Sequence, residues 1–129
     1  MKTRLMLIVI GAAATLALAG IVAAQDPVVG SSDPESLFTS KDSKLNTNKQ
    51  AAMHIMRDLL EAGHWDEAPK WLTERYIQHN PCCANGRQTV MTFFGGRGGA
   101  RPIPDKNSWQ TKIVSVVGEG GYVTVAVAR

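Results

Sequence analysis

Cysteine is nearly absent from this 129-residue chain: Cys82 and Cys83 are its only two, and they are neighbours. Adjacent cysteines bridge only through a strained ring, so no conventional intrachain disulfide holds the protein. A second cysteine pair is missing as well, which leaves a metal site built on His79, Cys82 and Cys83 without a convincing fourth ligand. No internal repeat is present. A clustered basic face, which nucleic-acid binding usually needs, is also lacking, because Arg87, Arg97 and Arg101 are scattered. What the cysteines do stays open among a vicinal ring, unpaired thiols and an intermolecular bridge.

The one long uncharged run is at the start. Lys2 and Arg4 precede residues 5–24, which carry no charge, and Val22-Ala23-Ala24 stands before Gln25 as a small-residue cleavage site. This pattern predicts a secretory signal peptide over residues 1–24, cut after Ala24, and a periplasmic or secreted product. About 20 apolar residues can also just span a bilayer, so an uncleaved anchor is the competing reading and the one route to a membrane. No cysteine lies near the cut, which argues against a lipid-anchored lipoprotein. The chain has 14 basic and 11 acidic residues. Without Lys2 and Arg4 the balance is 12 to 11, so its basic character is no argument for a nucleic-acid partner.

Residues 25–45 read as a flexible linker. Asp26-Pro27, Gly30-Ser31-Ser32-Asp33-Pro34 and Lys41-Asp42-Ser43-Lys44 are turn chemistry with little to bury, apart from Leu37 and Phe38, which suit one short docked turn. A single small domain occupies residues 46–129. Thr47 as N-cap with Gln50 three residues on predicts a helix carrying Ala52, Ile55, Met56, Leu59 and Leu60 on one face and ending at Gly63. His54, Arg57, Asp58 and Glu61 fall opposite, as i, i+4 pairs His54–Asp58 and Arg57–Glu61, which makes His54 a solvated surface histidine. A second, shorter helix is expected over residues 66–73, with Pro69 tolerated because it lies early. Trp65 closes one end of the core, and Trp71 and Leu72 supply apolar contacts.

A third helix is expected between Asn85, as N-cap, and Gly95, with Val90, Met91, Phe93 and Phe94 as its apolar content. Gly95-Gly96-Arg97-Gly98-Gly99 then reads as a loop, not as an RNA-binding segment. Residues 108–117 and 122–128 form a β-hairpin around Gly118-Glu119-Gly120-Gly121. Val123, Val125 and Val127 share one face of its second strand. Tyr122, Thr124, Ala126 and Ala128 share the other, where their smaller side chains leave room above the sheet.

Tyr76-Ile77-Gln78-His79-Asn80-Pro81 is the densest polar stretch and reads as a short strand. Polar groups at that density cost stability unless they are hydrogen-bonded or used in a pocket. This stretch, the Asn85-Gly86-Arg87 beyond it, a helix ending in Phe-Phe and two long strands together resemble the SnoaL-like polyketide cyclase family of the nuclear transport factor 2-like superfamily. The resemblance covers residues 46–129. It implies an α+β cone of N-terminal helices packed on a curved antiparallel sheet, with a pocket inside and homodimerisation through the sheet. Tyr76, Gln78, His79, Asn80 and Pro81 stand at the family's Tyr-x-Gln-His-Asn-Pro motif, and Gly86-Arg87 at its Gly-Arg. Family cyclases use a late-strand carboxylate in an aldol closure that needs no cofactor. Related sequences continue with an aromatic-Asp strand and a His-Trp-Asp, and both lie past Arg129, so the domain is expected to be incomplete here.

These readings lead to two function classes. One is cofactor-independent acid–base chemistry on a carbonyl compound, of the cyclase or isomerase type, with His79 as candidate catalyst, since imidazole exchanges protons near neutral pH. Tyr76, Gln78, Asn80, Trp71 and Phe94 would then line a site for a small apolar or carbonyl-containing ligand. The other is a non-catalytic ligand-binding or dimerisation module of the same fold. A histidine that merely holds the loop after Pro81 is the plainer reading of His79.

Overall fold

Residues 26–81 and 83–128 are described by a computed structural model. The expected signal segment and Cys82 lie outside the described residues. The class is α+β. A 3-10 turn, Glu35–Phe38, leads into helix α1, Ser43–His54, which runs on without a break as a π-helical segment, Ile55–Glu61. A 3-10 helix, Trp65–Lys70, and helix α2, Arg87–Gly95, complete the helical half. Strands β1, Lys112–Glu119, and β2, Tyr122–Ala128, form an antiparallel ribbon. No described helix is long and apolar enough to cross a membrane.

Helix α1 is capped five residues before the expected Thr47. Asp42 is the better cap: its Oδ1 accepts from Leu45 N at 2.7 Å, while Asn46 Oδ1 reaches back to Ser40 N at 2.9 Å. Thr47 instead donates its hydroxyl to Ser43 O one turn behind. Gly63 ends the element as expected, at φ +80°, a conformation that residues with a Cβ rarely adopt. Between these ends the helix widens, and Ala62 N bonds back five residues to Arg57 O at 2.9 Å. Nothing in the sequence announces this widening.

Two further boundaries move. The second helix is 3-10 rather than α and ends at Lys70; Pro69 has no N–H to give the carbonyl of Trp65 the bond an α-helix needs. Gly86, not Asn85, caps α2, because Asn85 spends its side chain on the loop before it.

The core lies in two clusters. In the helical half Leu59, Trp65, Ala68, Leu72 and Val90 are buried together. Beneath the ribbon Phe38, Met53, Ile113 and Val116 are buried, with Val123 and Val125 packed against them. Phe38 is fully buried and stacks near Trp109 at 6.0 Å between centroids. Helix α1 fixes the turn that carries Phe38: Lys49 Nζ donates to Leu37 O at 2.9 Å and Gln50 Nε2 to Phe38 O at 3.0 Å. Ser31 N also donates to Ile113 O at 2.7 Å, laying the preceding segment against the edge of β1.

The ribbon turns through Gly120 and Gly121, and its register runs from Glu119 opposite Tyr122 to Lys112 opposite Ala128, with an irregularity between Ile113 and Ser115. Strand β1 begins four residues later than expected and ends two later, which shortens the turn to two glycines at positive φ. Helix α1 lies close over the inner face. A Cβ on Gly118 would stand 2.4 Å from Leu45 Cδ1, so glycine there lets the helix approach the strand. Tyr122, Thr124 and Ala126, the face expected to leave room for a pocket, point to solvent instead.

Candidate functional site

Residues 76–81, expected as a short strand, form an irregular loop. The Gln78 side chain serves the loop itself, as does that of Asn85 beyond it. Gln78 N donates to Asn85 Oδ1 at 2.8 Å, and Gln78 Oε1 accepts from His79 N and Asn80 N at 3.0 and 3.2 Å. The base of the loop is closed by Gly86 N to Tyr76 O at 2.7 Å and by Arg87 Nη1 to Leu72 O at 2.9 Å. A strand would need a neighbouring strand to take these backbone groups, and side-chain amides take them here.

The six candidate site residues therefore divide. Trp71, Tyr76 and Phe94 pack against the helical core. Gln78 is half-buried within the loop, and His79 and Asn80 are exposed on it. Burial pushes the Tyr76 phenol up, and nearby Cys83 adds to the effect. Phe94 stacks on Trp65 at 4.9 Å, and Trp71 stacks face to face on His54 at 3.9 Å with 7° between planes.

That last contact leads to a cluster the sequence did not single out. Asp58 is buried, only 4% exposed. Its Oδ2 lies 2.7 Å from His54 Nδ1, and its Oδ1 accepts from Arg57 Nε at 2.7 Å. Arg57 Nη1 then donates to Glu35 Oε1 at 2.9 Å, tying the first 3-10 turn to the π-helical segment. Burial by itself would raise the Asp58 carboxyl, yet the bonds from Arg57 and His54 outweigh it and hold the group below the usual carboxylate range. An ionised carboxylate only accepts, so the Nδ1 that faces it carries a proton. One face of the imidazole is covered by Trp71.

The i, i+4 spacing of His54 and Asp58 was visible in the sequence, but their burial was not. Asp58 lies in the π-helical segment, and such turns often occur at functional sites. Glu61 closes the same segment. Expected to pair with Arg57, it instead accepts from Gln110 N at 2.7 Å and Thr111 N at 2.9 Å, clamping the strand-leading loop to the helix end.

Among the described residues no group of three or more His, Cys, Asp and Glu side chains is placed to hold a metal ion. Comparison with known protein families, with curated proteins and with solved structures returns no match.

Proposed function

We propose that this chain is an exported, SnoaL-like binding module that pairs with a second copy of itself through the outer face of its ribbon. The observation that carries this is the contrast across β1 and β2. The inner face is buried under α1, whereas on the outer face Val117 is 63% exposed and Tyr122 85% exposed. A two-stranded ribbon with one covered face is marginal alone and gains most from a partner. Export rests on the leader pattern of residues 1–24. The finer fold, helices packed on a curved sheet, rests on the element order: helix, short helix, motif loop, helix and paired strands. Replacing Val117 with Glu puts a charge in the centre of the proposed contact. Light scattering is expected to read a dimer for the wild type and a single chain for Val117→Glu with unchanged circular dichroism. Equal masses would contradict the reading.

A second reading, cofactor-free acid–base chemistry on a carbonyl compound, is favoured by the carboxylate-oriented imidazole of His54. Such a dyad takes a proton at Nε2 while Asp58 stabilises the imidazolium that forms. Deuterium uptake at the α-carbon of a simple ketone, monitored by proton NMR, tests it. Under this reading uptake is lost in His54→Gln and kept in His79→Ala. The opposite pattern restores His79 as the catalyst, and no uptake by the wild type removes the reading.

A further inference from the structure

A groove of about 560 Å³ opens between the helical half and the glycine-rich loop, away from the ribbon. Its floor is apolar: Leu60 is 47% exposed there, beside the Trp65–Phe94 stack. Its rim is cationic. Arg97 and Arg101 line it, and no carboxylate does. The Arg97 guanidinium rests over the Phe93 ring at 4.0 Å from the centroid and within 5.8 Å of the Phe94 ring, and no described acid pairs with it. Arg101 donates to the Glu61 carbonyl, which orients the group, and no described acid forms an ion pair with it. Gly98 and Gly99 complete the rim, and a Cβ on either would meet nothing within 4 Å. The backbone there is open to a ligand.

We infer that this groove binds an aromatic carboxylate, with the ring on Leu60, Trp65 and Phe94 and the carboxylate on Arg97 and Arg101. The charge pattern selects the ligand. Two guanidiniums without an acid disfavour a cation and leave a neutral ring no polar anchor, whereas a planar guanidinium and a carboxylate match in shape and charge. Stacked rings suit a flat apolar body, and the volume is that of a small-molecule site. Holding Arg97 over Phe93 limits the side-chain freedom lost on binding, which favours affinity. No ribbon residue lines the groove, so this inference and the ribbon pairing fail separately.

The test is titration of the purified full chain with 1-naphthoate and, in parallel, with the neutral 1-naphthamide, monitored by amide and indole NMR shifts. Saturable shifts at Arg97, Gly98, Gly99 and the Trp65 indole are expected with naphthoate. Naphthamide is expected to bind at least about tenfold more weakly, as is naphthoate to Arg97→Gln, in line with loss of a charge-assisted pair. Arg97→Lys keeps the charge but loses the planar fork and its ring stacking, and is expected to bind naphthoate more weakly than the wild type and more tightly than Arg97→Gln. Equal binding of naphthoate and naphthamide by the wild type overturns the proposal, and that comparison needs no variant to fold. Wild-type affinity in Arg97→Gln, or no saturable naphthoate shift, overturns it as well.

Discussion

The helical half and the ribbon half each hold a buried apolar cluster but are completed differently. In the helical half, aromatic stacks and a half-buried charged chain from Glu35 through Arg57 and the buried Asp58 to His54 close the structure within one chain. In the ribbon, Ile113 and Val116 are buried beneath α1 while Val117 and Tyr122, on the same two strands, face solvent. One half satisfies itself, and the other offers a surface. Under the proposed pairing, the partner's position follows from which faces the helices leave uncovered, not from where polar residues are densest.

The largest effect expected from breaking this contrast is at Asp58. Asp58→Ala leaves Arg57 and His54 half-buried without their shared carboxylate, a loss of about 3–5 kcal/mol by the behaviour of broken buried pairs. Urea unfolding measures it, and a loss below about 1 kcal/mol would mean that the cluster does not hold the helical half. Next come the two faces of the ribbon. Ile113→Ala is expected to cost about 2–5 kcal/mol and Val117→Ala under about 0.5 kcal/mol when both are measured at concentrations low enough to keep single chains. Similar costs would remove the distinction between the faces.

Acid sensitivity arises from the same carboxylate. The folded-state value of Asp58 lies below its unfolded one, so its stabilisation is complete above roughly pH 4 and fades as pH falls through the depressed folded value. Unfolding free energy measured across that range is expected to fall more steeply in the wild type than in Asp58→Asn. Parallel curves would assign the acid loss to other carboxylates. The smallest effect belongs to the motif loop. His79 is exposed, and His79→Ala is expected to change stability by no more than about 0.5 kcal/mol, again read by urea unfolding.

Much of the α+β framework was legible from local chemistry. Gly63 stops the helix because φ +80° suits glycine, and the Gly120-Gly121 pair closes the hairpin for the same reason. The apolar stripe through Leu59 and the valines of β2 placed both cores. Tertiary contacts decided the rest. Residues 76–81 had the composition of a strand, but Asn85 and Gln78 offered nearer acceptors than any strand did. The Asp58 cluster was hidden because it joins a π-helical turn to Glu35, which lies 22 residues from Arg57. Local pattern encodes neither.

The central claim, that the uncovered ribbon face receives a second copy, is tested most directly by sedimentation velocity on a dilution series of the wild-type chain beside Val117→Glu. The account predicts a wild-type species that falls from two chains to one on dilution, and a variant that sediments as one chain throughout. A wild type that sediments as a single chain at every concentration, or a variant that dimerises equally well, would contradict it.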